Sequence, residues 1–284
     1  MVKEFDINLK IKNISIAGNI KKTSKKIIDL IINTLLSFDI FNLNTVFPLK
    51  YNTLPSLKID EVSPSNTDIL FVLGGDGTII GIVRNLKQQV PILGINVGSK
   101  GVLTEIFPDE INLAIEAIKE NRYLIQERMM LKLSIKQKSI EENALNEIFV
   151  YRSSLTHLPT FSIIQSDFYI RKKMDGIIVS TPTGSTGHSF SLGGPIIDET
   201  LEVFLINLIG SIQRLPQFIL QPIPITIACS NKFYVVVDGQ VKYLLNKDAE
   251  VEIMKSEKKA KIVRLFGGRL SHIEKLGFER TGAL

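Results

Sequence analysis

The chain has 284 residues, enough for one large core or two ordinary ones, and 44% apolar with 22% charged residues is the balance of a folded globular protein, not a disordered or fibrous one. Thirty-four Lys+Arg against 29 Asp+Glu leave a net charge of +5 spread along the chain, which argues against a nucleic-acid groove and mildly favours anionic ligands such as nucleotides. A single cysteine, Cys229, excludes an intrachain disulfide, the three histidines form no zinc pattern, and no apolar run suits a bilayer span or a signal peptide, so a cytoplasmic protein without membrane or nucleic-acid partners is expected.

Residues 11–18 (IKNISIAG) read as a β-strand, and the stretch after them sets Ile27, Ile31, Leu35 and Phe38 on one helical face. A strand near Thr45–Phe47, another at 68–74 (DILFVLG), a helix over about 78–87, a strand at 91–95 and a helix across 108–121 continue the alternation. Strands alternating with helices predict an α/β domain over residues 1–121, with a Rossmann-like parallel sheet covered on both faces. From Tyr123 onward the segments 123–138, 145–153, 161–170, 176–180 and 225–230 read as strands, and 232–245 and 249–266 as hairpins, with one helix at 202–212. That pattern predicts a β-rich, sandwich-like second domain over 122–266, α+β for the whole chain. In RLSHIEKLGF, Leu270, Ile273 and Leu276 have helical spacing in a segment too short to fold alone, so residues 267–284 are expected to return and pack on the first domain.

The strongest chemical signal is Gly74-Gly75-Asp76-Gly77-Thr78, between an apolar strand and a helix, at the carboxyl end of a parallel strand where α/β sheets bind ligands. Glycines let backbone amides approach a phosphate, and a helix N-terminus favours negative charge. A carboxylate there either serves a purpose, holding a metal ion or accepting a proton from an attacking hydroxyl, or caps the helix through Thr78. The loop matches neither a Walker spacing nor GxGxxG. A second motif, Asp175 to Pro195 (DGIIVSTPTGSTGHSFSLGGP), is dominated by hydroxyls and glycine amides, neutral groups suited to lining a nucleotide or sugar; the plainer reading is a helix start capped by Ser185 or Thr186.

Together, in this order, the two segments resemble the signature motifs of the NAD kinase family. Asn146-Glu147 resembles the family's adenosine-ribose contacts, Pro91 to Glu105 the segment after its first signature, and Asp238-Gly239-Gln240 its late DGQ element, although VVVDGQVKYLL also reads as a hairpin with a tight Asp-Gly turn. The resemblance implies transfer of a phosphoryl group from ATP, or another donor, to the adenosine-ribose 2'-hydroxyl of NAD, with Mg²⁺ or another divalent cation. It implies Asp76 as general base, Gly75, Gly77 and Thr78 as the phosphate loop, and Asn146, Glu147, Asp175, Thr183, Thr186, Gly187, His188, Ser191 and Asp238 about the dinucleotide. Asp175 is similar to a family carboxylate that reaches a neighbouring subunit's ligand, which implies a homo-oligomer, dimer or tetramer. Gly187-His188 stands where the family commonly has Ala-Tyr, Val102 where an aromatic is usual, and Gln221 in place of a frequent Arg. A lipid kinase of the diacylglycerol or sphingosine type, which shares GGDGT, and a non-catalytic NADP sensor are the rival readings.

Overall fold

The computed structural model describes residues 11–39, 41–51, 54–98, 101–213, 215–247 and 249–265. The described residues divide into two compact units, one formed within 11–127 together with 260–265, the other by Arg128–Lys259.

The first unit contains β1 (Asn13–Gly18), α1 (Lys25–Ser37), β2 (Asn42–Val46), β3 (Ser56–Leu57), β4 (Ile69–Leu73), α2 (Asp76–Asn85), β5 (Pro91–Ile95) and α3 (Ile111–Lys119). Ser24 starts α1, its hydroxyl accepting the Ile27 amide at 3.4 Å. Ile28, Ile31, Ile32 and Leu35, at three- and four-residue spacing, form its buried stripe. All pairings are parallel, in the order β3-β2-β1-β4-β5, with Lys261 and Ile262 pairing with the far edge of β5. All five residues of β4 are buried. Ile69, Phe71 and Leu73 join a cluster with α1 and α3, as expected of a parallel strand covered on both faces. Strand order reverses at β1 and β4, so a crevice opens at their carboxyl ends, where β4 runs into the glycine loop.

The second unit is antiparallel. It comprises β6 from Arg128 on (Leu124–Ile135), β7 (Ile140–Ala144), β8 (Glu147–Arg152), β9 (Thr160–Gln165), β10 (Phe168–Lys173), β11 (Gly176–Ser180), α4 (His188–Ser191), β12 (Phe204–Ile209), β13 (Phe218–Leu220), β14 (Ile225–Cys229), β15 (Phe233–Val237), β16 (Val241–Leu245) and the start of β17 (Glu250–Arg264). One sheet runs β13-β12-β11-β8-β15-β16, and a second layer carries β10-β9-β14-β17, with β6 and β7 as a hairpin. β14 and β15 alternate buried and part-exposed residues, and Ile148, Val150, Phe161, Ile163, Ile177, Val179, Ile225, Ile227, Phe233 and Val235 fill the sandwich. Arg128 and Glu199 form an ion pair at 2.5 Å, their side chains 2% and 3% exposed.

Two expectations are corrected. The segment 202–212 is not a helix but contains β12, whose Phe204, Leu205 and Ile206 are wholly buried between β11 and β13. A continuous apolar run carries no period to separate a buried strand from a helix. The segment 249–266 is not a hairpin but the single strand β17: its start pairs with β14 and its end with β5, and no turn residue interrupts it. Residues 161–170 are two strands, β9 and β10, joined through Ser166 at φ 49°. The expected C-terminal helix lies outside the described residues. Among the described residues no helix is long and apolar enough to cross a membrane.

Candidate active site

In the first unit the chain leaves β4 at Gly74, where a Cβ would lie 2.4 Å from the Thr78 hydroxyl; glycine is what lets α2 start this close to the strand. At Gly75 and Gly77 a Cβ would meet nothing within 4 Å. Both, with Thr78, line a cavity of about 710 Å³ at the carboxyl ends of β1, β2 and β4, whose rim carries Lys21 and Lys22. A helix N-terminus, two glycines with open space where a side chain would stand and two lysines lining one cavity make a site for anionic oxygens.

Asp76 does not cap α2. Gly75 is the N-cap, without a side-chain bond, and Asp76 is the first helical residue. Its carboxylate turns towards the segment after β5, Oδ2 accepting the Val102 amide at 2.8 Å and Oδ1 the Leu103 amide at 2.9 Å. Gly101 passes so close that a Cβ there would sit 2.4 Å from Asp76 Oδ1. The carboxylate is therefore fixed in direction by backbone at its own height.

In the second unit Asn146 and Glu147 lie where the chain passes from β7 into β8. Asp238 holds them. Its backbone adopts φ 49° and that of Gly239 65°, in a turn closed by Gln240 N–H donating to the Val237 carbonyl at 2.9 Å, so the hairpin reading is right. The same residue's carboxylate accepts the amides of Leu145 (2.8 Å), Asn146 (2.8 Å) and Glu147 (3.0 Å). Thr181 donates to the Leu145 carbonyl at 2.6 Å and Ser180 to that of Asn146 at 3.1 Å. A Cβ at Gly184 would lie 2.2 Å from the Asn146 carbonyl oxygen, and one at Gly187 would lie 3.5 Å from Asn146 Nδ2 and 3.6 Å from Glu147 Oε2. Asn146, Glu147, Gly187 and Asp238 thus converge. Asn146 Oδ1 and Glu147 Oε2 are buried without a hydrogen-bond partner, and burial, reinforced by the Asp238 charge, pushes the Glu147 carboxyl up to about 7. Such unsatisfied groups ask for a ligand's hydroxyls or amines.

The hydroxyl-rich motif divides its labour. Ser185 donates to the Pro182 carbonyl at 2.7 Å and accepts the Ile197 amide at 2.9 Å, and Ser189 donates to Asn207 Oδ1 at 3.0 Å, so both are structural. Neither Ser185 nor Thr186 caps α4; Gly187 stands at that position. Thr183 is buried, Thr186 donates to the Thr183 carbonyl at 3.2 Å, and the exposed Ser191 donates to that of His188 at 2.7 Å. The His188 ring meets Phe149 edge-on, centroids 5.4 Å apart. Asp175 pairs with Arg152 Nε at 2.5 Å. Nothing in the sequence singles out Arg152 or Ser180, and Thr181, one of the hydroxyls of the second motif that suited a nucleotide or sugar, is spent on the Leu145 carbonyl; the basic pair Lys21-Lys22 was visible just after β1 but had no assigned partner. Among the described residues no group of three His, Cys, Asp or Glu could hold a metal ion.

Residues 21–123 match the family of ATP-NAD kinase N-terminal domains and residues 145–265 that of ATP-NAD kinase C-terminal domains. The chain is 34% identical over 262 residues to an NAD kinase of Clostridium beijerinckii, covering 88% of this chain and 90% of the relative. It is 36% identical over 234 residues to one of Thermococcus gammatolerans, covering 75% and 80%. Among solved structures, yeast NADH kinase complexed with NADH shares the fold, with TM-score 0.82 over 96% of this chain and 90% of that one at 23% identity. An NAD kinase from Archaeoglobus fulgidus in complex with ATP gives TM-score 0.69 at 26% identity, covering 93% and 97%. With both halves matched in order and most of each relative covered, the chain belongs to the NAD kinase family.

Proposed function

We propose that this enzyme transfers the γ-phosphoryl group of ATP, or of another phosphoryl donor, to the adenosine-ribose 2'-hydroxyl of NAD, with Asp76 as general base. The observation that carries the assignment of roles is the Gly75-Asp76-Gly77 loop, open on both glycines to the cavity that Lys21 and Lys22 border. The 2'-oxygen forms a bond to the γ-phosphorus as the bond to the β,γ-bridging oxygen breaks; the hydroxyl proton passes to the Asp76 carboxylate and ADP leaves. The glycine amides, the α2 N-terminus and the two lysines bind the donor's phosphates. Asn146 and Glu147, oriented by Asp238, hold the adenosine ribose with Gly187 beside them, and the unpartnered Glu147 Oε2 and Asn146 Oδ1 accept from its hydroxyls or base. Thr183, Thr186, His188 and Ser191 complete the dinucleotide site.

A divalent cation would come with the donor, held chiefly by its phosphates, because the described residues offer no cluster of their own. We extend the proposal to a cytoplasmic dimer or tetramer in which Asp175, already paired with Arg152, lies near a neighbour's ligand.

The test is NADP formation from NAD, ATP and Mg²⁺, read with an NADP-specific dehydrogenase, with polyphosphate and NADH in parallel reactions. Asp76→Asn should lower turnover by about 10²- to 10⁴-fold while NAD still binds. Wild-type turnover in that variant would refute the role. NADP binding without phosphorylation by any donor would point to a sensor, and phosphorylation of a lipid instead to the other kinase class.

A further inference from the structure

A buried ion pair lies directly behind the residues that hold Asp76. Arg264, at the end of β17, and Glu105 pair at 2.9 Å with side chains 3% and 2% exposed. The remaining guanidinium bonds are specific: Nη2 donates to the Val102 carbonyl at 3.1 Å and Nε to Gln126 at 3.2 Å. Glu105 is held in turn by the Leu265 amide at 2.8 Å, and its own amide donates to the Gly94 carbonyl of β5 at 2.8 Å. Val102 is therefore gripped on both sides of one residue, with its carbonyl on Arg264 and its amide on Asp76.

We propose that Arg264 and Glu105 are positioning residues for phosphoryl transfer, which fix the segment 101–103 and through it the direction of the Asp76 carboxylate. The proposal rests on the general-base reading of Asp76. Neither side chain needs to touch a substrate. A planar guanidinium is required because one end must meet Glu105 while the other meets a carbonyl, a fork that a lysine ammonium does not reproduce. Misdirecting a base by a fraction of an ångström lowers the chemical step without weakening a dinucleotide bound elsewhere.

The test uses the full-length enzyme in three variants. Arg264→Lys keeps a cation beside Glu105 and gives up the bond to Val102. The pair Arg264→Met with Glu105→Met removes both charges of the ion pair together, a change that buried ion pairs often tolerate. Asp76→Asn is the separate control on the base itself. Measured quantities are kcat, the NAD dissociation constant by calorimetry, and the thermal midpoint. The expected result is kcat lowered about 10-fold in Arg264→Lys and more in the double-methionine variant, with NAD affinity within about 3-fold of wild type in both. Unchanged kcat in the double-methionine variant overturns the proposal. So does a parallel loss of kcat, NAD affinity and thermal midpoint in both variants, which would make the pair a support of the fold alone. Wild-type turnover in Asp76→Asn would instead remove the base reading, whatever the other variants show.

Discussion

Glu147→Gln offers a test of the acceptor side that needs no substrate. In the folded chain its carboxyl is moved from an ordinary value of 4.5 up to about 7, first by burial and then by the Asp238 charge. A raised carboxyl binds its proton more tightly in the folded than in the unfolded state. The favourable contribution is therefore complete below pH 4.5 and is lost as pH rises through about 7, where the folded chain too must ionise. At about 1.4 kcal/mol per tenfold change in proton affinity, the loss across that window is roughly 3 kcal/mol. Glutamine keeps the shape and never ionises, so the variant should lack this fall and gain on wild type as pH rises. Urea unfolding of both proteins, at steps from pH 4.5 to 8, reads the difference directly. Parallel stability curves across that range would show that Glu147 is not a desolvated carboxyl and would undo its placement beside Asp238.

Asp238→Ala leaves the amides of Leu145, Asn146 and Glu147 without their acceptor; at about 1–3 kcal/mol for each unpaired buried donor, it should cost several kcal/mol in urea and weaken NAD binding in calorimetry. Gly184→Ala forces a methyl group to within 2.2 Å of the Asn146 carbonyl and should lower stability by about 1–3 kcal/mol and loosen NAD binding, whereas Gly187→Ala, whose methyl group would meet nothing nearer than the Gly184 carbonyl at 3.3 Å, should cost less stability in the same urea titration. Arg128→Met takes the guanidinium away from the buried Glu199 carboxylate and should cost about 3–5 kcal/mol in urea; a variant as stable as wild type would show that the ion pair adds nothing to the fold.

Much of this architecture is legible in the amino-acid sequence. The parallel unit announced itself through regular alternation of apolar strands with amphipathic helices, β14 through a short β-branched run, and β15 and β16 through two apolar runs set about an Asp-Gly turn. Local signals failed where the pattern was ambiguous. Val203 to Ile209 is apolar at nearly every position and could equally have been a helix, and the segment 249–266 read as a hairpin although β17 passes straight through it from one neighbour to another. In the candidate site, the glycine loop and Asn146-Glu147 were visible as short motifs. The grip of Asp238 on residues more than 90 positions away, and that of Arg264 on Val102 across 162, were not, because a side chain reaching distant backbone leaves no spacing to read. The supposed capping roles of Asp76 and Ser185 failed for a related reason: tertiary partners outbid the nearest helix end.

The path of β17 also sets a timetable for synthesis. During translation β5 leaves the ribosome early, with β4 on one side; on the other only its carboxyl end is met at once, by Glu105 and Ile106, because the outer neighbours of Pro91 and Ile92 are Lys261 and Ile262. All of Arg128–Lys259 must be made before that gap can be filled. A nascent chain therefore carries an unpaired, apolar strand edge for most of its synthesis, the kind of surface that attracts chaperones or other nascent chains. A stop codon anywhere before Lys261 leaves that edge open for good.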